Sequence, residues 1–178
     1  MPTDPVDPQR FRDLMATVCA PVTIVTTLDT NGAPHGATVS SFTSLSLRPP
    51  LISVAFDRAS RLLAEIIRAG RFGVNLLGGG QDDLATLFAT RGADRFATTE
   101  WHLDHQLPRL RDAAGWVACR LDRTIEAGDH LLLFGLVTAL SRTELPPLVY
   151  AHRTFGTHSR FAQRPRPRIV DQIAACAR

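Results

Sequence analysis

The chain has no lysine. All 20 of its basic residues are arginine, set against 17 acidic residues and 6 histidines, for a formal net charge of +3. The arginines are scattered among acidic residues, apart from Arg164, Arg166 and Arg168 near the end. The basic stripe of a nucleic-acid binder is therefore missing. Cysteine is scarce too: Cys19, Cys119 and Cys176 stand far apart, with no CxxC pair. That argues against a disulfide framework and against structural zinc. No apolar run approaches the ~20 residues of a membrane helix. The leader MPTDPVDPQ lacks the basic and apolar regions of a signal peptide. A cytoplasmic protein with no membrane partner is the expectation. The fingerprint GxGxxG is also absent, which removes the simplest sign of a dinucleotide-binding βαβ unit.

What is present reads as one domain over residues 1–178, with a core over about 11–158 and a tail over 159–178. The length, with 44% hydrophobic and 21% charged residues, suits a globular chain that buries a real core. Phe11, Leu14, Met15, Val18 and Cys19 recur at helical spacing up to Pro21, and a helix capping a sheet is expected there. Residues 22–28, 51–56, 72–77, 113–125, 131–140 and 148–150 have the β-branched and apolar density of strands. Asn31-Gly32 reads as a hairpin turn, and Gly135 as a bulge or close approach. Short helices are expected after Ser60, ended by Gly70, and over 81–89. Residues 90–110 read as irregular. His102 and His105 could share a helical face there, but without a third ligand no metal site is expected. Ile169, Val170 and Ile173 suggest a terminal helix. The sum is a mainly β fold, a closed or nearly closed barrel with short peripheral helices.

The densest chemistry lies in residues 32–50, GAPHGATVSSFTSLSLRPP, where Thr38, Ser40, Ser41, Thr43, Ser44 and Ser46 put six hydroxyls within nine residues. Hydroxyls and free backbone N–H groups suit a phosphate or the polar edge of a heterocycle. An edge strand with a wet face is the plain alternative. Asp57 or Ser60 would cap the following helix. Asn75, alone among apolar residues, needs partners for its amide, which neighbouring backbone supplies in the commoner case.

In order along the chain, PVTIVTT (21–27), the 32–50 stretch, Ser60, GRFGVNLL (70–77), FATRGADRF (88–96), GDH (128–130) and PLVY (147–150) resemble the short-chain flavin reductases of two-component flavin monooxygenases. The resemblance implies an FMN-binding split barrel. It implies reduction of FMN or FAD by NADH, or NADPH, with delivery of reduced flavin to a separate monooxygenase. By the same resemblance Thr38, Val39, Ser40 and Ser41 lie along the flavin. Asp57, Ser60 and Arg61 lie near its tail and phosphate, and Asn75 and Leu76 beside tail or ring. Asp129 and His130 engage the nicotinamide nucleotide, with His130 positioning it; the plain role of His130 is to order a strand start. His152 and Phe155 lie over the nicotinamide site, and a homodimer is implied. Phe96 and Trp101, within residues 90–110, are then the candidates for closing the partner's site. The alternative is a flavin- or haem-binding split-barrel module without turnover.

Overall fold

The structure is a computed structural model describing residues 6–157. The terminal helix expected around Ile169 and Ile173 lies outside the described residues. In chain order the elements are α1 (Pro8–Met15), β1 (Ala20–Pro21), β2 (Thr23–Leu28), β3 (Pro34–Val39), β4 (Thr43–Leu47), β5 (Pro50–Asp57), α2 (Arg61–Ala69), β6 (Arg71–Leu76), α3 (Asp82–Ala89), β7 (Trp101–Asp104), β8 (Leu107–Leu110), β9 (Gly115–Ala127), β10 (His130–Arg142), β11 (Leu148–Ala151) and β12 (Thr154–Thr157).

Seven strands form one antiparallel sheet in the order β3-β2-β6-β9-β10-β5-β4. Its two edge strands are consecutive in the chain, separated only by Ser40, Ser41 and Phe42. At 3.8 Å per residue, those steps hold the Cα atoms of Val39 and Thr43 within ~15 Å. The sheet must therefore curl until its edges approach. Packing agrees, because Val39 of β3 shares one buried cluster with Ile52, Val54 and Phe56 of β5. Among the described residues the two edges do not pair with each other. The curled sheet is left split between β3 and β4, and this is the mainly β architecture that the sequence leads one to expect.

Helix α2 seals the interior with Leu62, Leu63 and Ile66. Its ends follow from composition. The Ser60 hydroxyl accepts from Leu63 N–H at 3.3 Å, and Gly70 closes the helix in the left-handed region at φ 66°. Of the bulge or close approach expected at Gly135, the structure shows the close approach, and the register shift beside it puts the extra residue, Asp122, on the facing strand β9. A Cβ at Gly135 would stand 2.6 Å from the Phe72 ring.

A second buried cluster covers the outer wall of β2 and gathers Ile24, Leu77, Ala85, Phe88, Leu110 and Leu148. Alternation along β2 puts Val25 inside the barrel and Ile24 outside it. Helix α3, the β7–β8 hairpin and the small sheet β1-β11-β12 lie over that wall.

Four expectations are corrected. Residues 90–110 are not wholly irregular, since β7 and β8 pair there from Trp101↔Leu110 to Asp104↔Leu107. His102 and His105 consequently share no helical face. The α1 stripe is not packed as a cap: Phe11, Leu14, Met15 and Val18 are all exposed. The turn at Asn31-Gly32 is longer than two residues, because Asp29 accepts from the N–H groups of both Asn31 and Ala33. No helix among the described residues is long and apolar enough to cross a membrane.

Candidate functional site

Three segments meet at the C-terminal end of β5. Asp57, its last residue, is the cross-strand partner of His130 at the start of β10. The Asp57 carboxylate accepts from Ala59 N–H at 2.7 Å, and its carbonyl accepts from Ser60 N–H at 2.9 Å. This tight turn delivers Ser60 to the α2 N-cap and leaves Arg61 exposed on the first turn. Arg58 N–H donates to the Asp129 carbonyl at 3.1 Å. The β5–α2 turn is thereby clipped to the tip of the β9–β10 hairpin.

The third segment is the split itself. The Ser41 hydroxyl accepts from Ala55 N–H at 2.9 Å and donates to the Ala55 carbonyl at 3.0 Å. One side chain thus does the work of a missing strand residue on β5, and fixes residues 40–42 just upstream of Asp57. Among the described residues, the backbone N–H groups of Ser40, Ser41 and Phe42 meet no acceptor. Ser40 and Ser41 are exposed. Consecutive unpaired donors beside an exposed guanidinium make an acceptor-seeking rim.

At the hairpin tip His130 Nδ1 lies 2.7 Å from an Asp129 carboxylate oxygen. The hydrogen bond from His130, backed by its charge, holds the Asp129 carboxyl below the usual carboxylate range. Placing the proton on Nδ1 satisfies this bond and leaves Nε2 for a ligand. Asp129 is exposed and His130 partly so. A nucleotide arriving from solvent can therefore reach both.

Other expected site residues fall elsewhere. Thr38 turns its hydroxyl away from the barrel to the Ala85 carbonyl of α3, at 2.6 Å. Val39 is buried in the barrel core. Asn75 is fully buried, with its amide group donating to the Ile24 carbonyl at 3.1 Å and its oxygen accepting from Leu110 N–H at 2.8 Å. Its amide knits β2, β6 and β8 together, and this structure gives a cofactor no access to it. Leu76, partly buried, packs at the Gly115 end of β9. Phe96 stands edge-on between Phe88 (5.1 Å between centroids) and Trp101 (5.7 Å). Phe155 packs on Tyr150 at 5.0 Å. These rings belong to the outer cluster of their own chain. His152 sits in the β11–β12 turn at φ 52°, and its N–H donates to the Ala16 carbonyl. Within one chain no described contact joins it to the rim.

Two participants escaped the sequence reading, Phe42 and Arg58. Both act through backbone N–H groups, so no side-chain pattern marked them. Among the described residues no group of three His, Cys, Asp or Glu side chains could hold a metal.

Comparison with known families matches residues 15–159 to the flavin reductase like domain. This chain belongs to that family. A probable flavin reductase of Rhizobium meliloti is 39% identical over 88% of this chain, which spans only 51% of that relative's length. The reductase subunit of a flavin-dependent monooxygenase of Rhodococcus jostii is 38% identical, over 85% of this chain and 78% of its own. Among solved structures, the NADH:FAD oxidoreductase of Streptomyces globisporus, in complex with NAD and FAD fragments, superposes with a TM-score of 0.83. It is 28% identical, over 90% of this chain and 100% of that one.

The rim fits a flavin by its donor set. The unpaired N–H groups of residues 40–42 suit the carbonyl and nitrogen edge of the ring. Arg61 and the α2 N-terminus suit a phosphate.

Proposed function

We propose that this chain is an NAD(P)H-dependent flavin reductase that supplies reduced FMN or FAD to a separate flavin-dependent monooxygenase. It acts as a cytoplasmic homodimer. One observation carries the reading: the unpaired donors of residues 40–42, Arg61 and the Asp129–His130 pair are gathered at one end of β5. Family membership and the names of the relatives support it.

The reaction moves a hydride, which carries both electrons, from the reduced nicotinamide to the flavin, and one proton from solvent completes the reduced flavin; the ligands themselves supply that chemistry. The protein orients. Backbone N–H groups of Ser40, Ser41 and Phe42 hold the polar ring edge, and Ser60 and Arg61 the phosphate end. Asp129 fixes the His130 ring, and His130 positions the nicotinamide nucleotide without moving an obligatory proton. The homodimer reading is supported by β4, whose five residues are all exposed, Leu45 and Leu47 among them. An uncovered apolar edge strand is otherwise a site of uncontrolled association.

The deciding experiment is anaerobic oxidation of NADH and of NADPH with riboflavin, FMN or FAD added. Flavin-dependent turnover is expected, and its absence in every combination would sink the proposal. His130→Ala should raise KM for the nicotinamide nucleotide far more than it lowers kcat. Unchanged constants would remove His130 from the site.

A further inference from the structure

Away from the rim, a cleft of about 410 Å³ opens between α3 and the base of the β7–β8 hairpin. Leu84 and Leu87 form apolar walls, and Asp83, Glu100 and Asp112 line it with carboxylates. Its basic residue, Arg111, is already paired with Glu100 at 2.8 Å. The cleft therefore keeps a surplus of negative charge, chiefly from Asp83 and Asp112. It shares no residue with the proposed flavin site.

The described chain ends at Thr157, against the segment that leads into α3. A Cβ on Gly79 would stand 3.5 Å from the Thr157 side chain, and Gly79 lies just ahead of α3. At 3.8 Å per residue, Thr157 is within ~25 Å of Asp83. The sequence that follows carries Arg160, Arg164, Arg166 and Arg168, with Phe161 between the first two and no acidic residue before Asp171. An extended chain advancing ~3.3 Å per residue brings Arg164 within reach of Asp83.

We propose that the chain's own segment 160–168 docks in this cleft, its guanidinium groups on Asp83, Asp112 and Glu100 and Phe161 against Leu84 and Leu87. Point of exit, reach and charge complementarity agree on this occupant. A single exposed ion pair contributes little, so the docking depends on several carboxylates sharing one concave site with apolar walls. The tail then ties α3 to the hairpin across the outer face of the barrel.

The absence of lysine makes the test clean. In the full chain carrying Arg164→Lys, the substituted position and the N-terminus are the only primary amines. Zero-length carbodiimide coupling with peptide mapping then reports which carboxylates the tail meets. Links to Asp83, Glu100 or Asp112 are expected, falling about ten-fold at high ionic strength, where exposed pairs are screened. Adding Asp83→Asn and Asp112→Asn should remove most of the remainder. Both changes are conservative, and asparagine tolerates the left-handed backbone of Asp112 at φ 57°. Links spread over Glu126 and Glu144 in proportion to their exposure would overturn the proposal. A mixture of isotope-labelled and unlabelled chains adds a second outcome. Links only between copies would overturn the same-chain assignment and place the tail on a second molecule.

Discussion

Strands β3 and β4 are the two edges of one sheet, cut from one hydroxyl-rich stretch, and they meet opposite environments. β3 is covered. Gly36 lies under the Phe88 and Phe96 rings, the Arg95 guanidinium donates to the Gly36 carbonyl at 2.6 Å, and Thr38 ties the strand to α3. β4 has no such cover: all five of its residues are exposed, and Leu47 is 81% accessible. β4 carries three hydroxyl side chains to one in β3, yet its Leu45 and Leu47 are as exposed as its hydroxyl residues, so polarity alone does not decide burial here. What decides it is which elements return across each edge later in the chain. Helix α3 and residues 90–100 return over β3, whereas no described element returns over β4.

The largest effect that separates the two edges is expected at Gly36. A Cβ there would stand 2.8 Å from Phe88 Cε1 and 3.1 Å from Phe96 Cζ. Phe88 is fully buried and has nowhere to move. Gly36→Ala should therefore cost about 1–3 kcal/mol by overpacking. Ser46→Ala in β4 should stay within about 0.5 kcal/mol. Urea unfolding of the two variants measures both. Equal midpoints would mean that the aromatic cover of β3 is loose.

The same contrast explains how much could be read in advance. Helix α2 was legible because its signals are local: Ser60 caps it and Gly70 ends it. The close approach at Gly135 was legible for the same reason, since a glycine inside a strand marks it. The split after Val39 was not, since Ser40 and Ser41 carry the same hydroxyls as the strands on either side. The β7–β8 hairpin hid because its turn uses His105 and Gln106 at φ 49° and 60°, with no glycine to mark it. Of the proposed site, the residues carried by a sequence motif, Ser40, Ser41, Asp57, Ser60, Arg61, Asp129 and His130, lie toward one end of β5. For Asn75 and Thr38 the structure shows partners within the chain. A polar side chain in a strand reads the same whether it serves a ligand or, as here, Leu110 N–H and the Ala85 carbonyl.

Thr38 and Thr43 provide a matched pair for the next prediction. The Thr38 hydroxyl donates at 2.6 Å to Ala85, whereas that of Thr43 reaches only the neighbouring Ser44 carbonyl at 3.4 Å. Thr38→Val should cost about 1 kcal/mol of stability, and Thr43→Val about none. If Thr38→Val left the flavin-free protein as stable as before yet weakened FMN binding, Thr38 would be a ligand contact and not an anchor for α3.

Leu47→Arg asks what covers β4. A residue so exposed should change the stability of a single chain by no more than about 0.5 kcal/mol. Sedimentation should nevertheless show fewer dimers, because a charge on an edge strand opposes pairing of two copies. An unchanged dimer would move the interface away from β4.

The smallest effect is a pH dependence on the β3 side alone. Asp29 holds the turn into β3 by accepting from Asn31 and Ala33 N–H at 2.8 and 2.9 Å, with His35 Nε2 at 3.3 Å from its other oxygen. The hydrogen bond from Ala33, with those from His35 and Asn31, keeps the carboxyl below its usual range. Its folded value thus lies below the unfolded value of ~3.9. Over the window between the two, the unfolded chain binds more protons, and stability rises with pH. The contribution is complete above ~3.9 and is lost as pH falls through the folded value. The turn from β4 into β5, through Arg48 and Pro49, has no carboxylate to titrate. Asp29→Asn should therefore flatten part of the acid limb of a stability–pH profile and leave the neutral plateau almost level. A limb as steep as in the parent protein would show that the Asp29 turn contributes nothing to holding β3 in place.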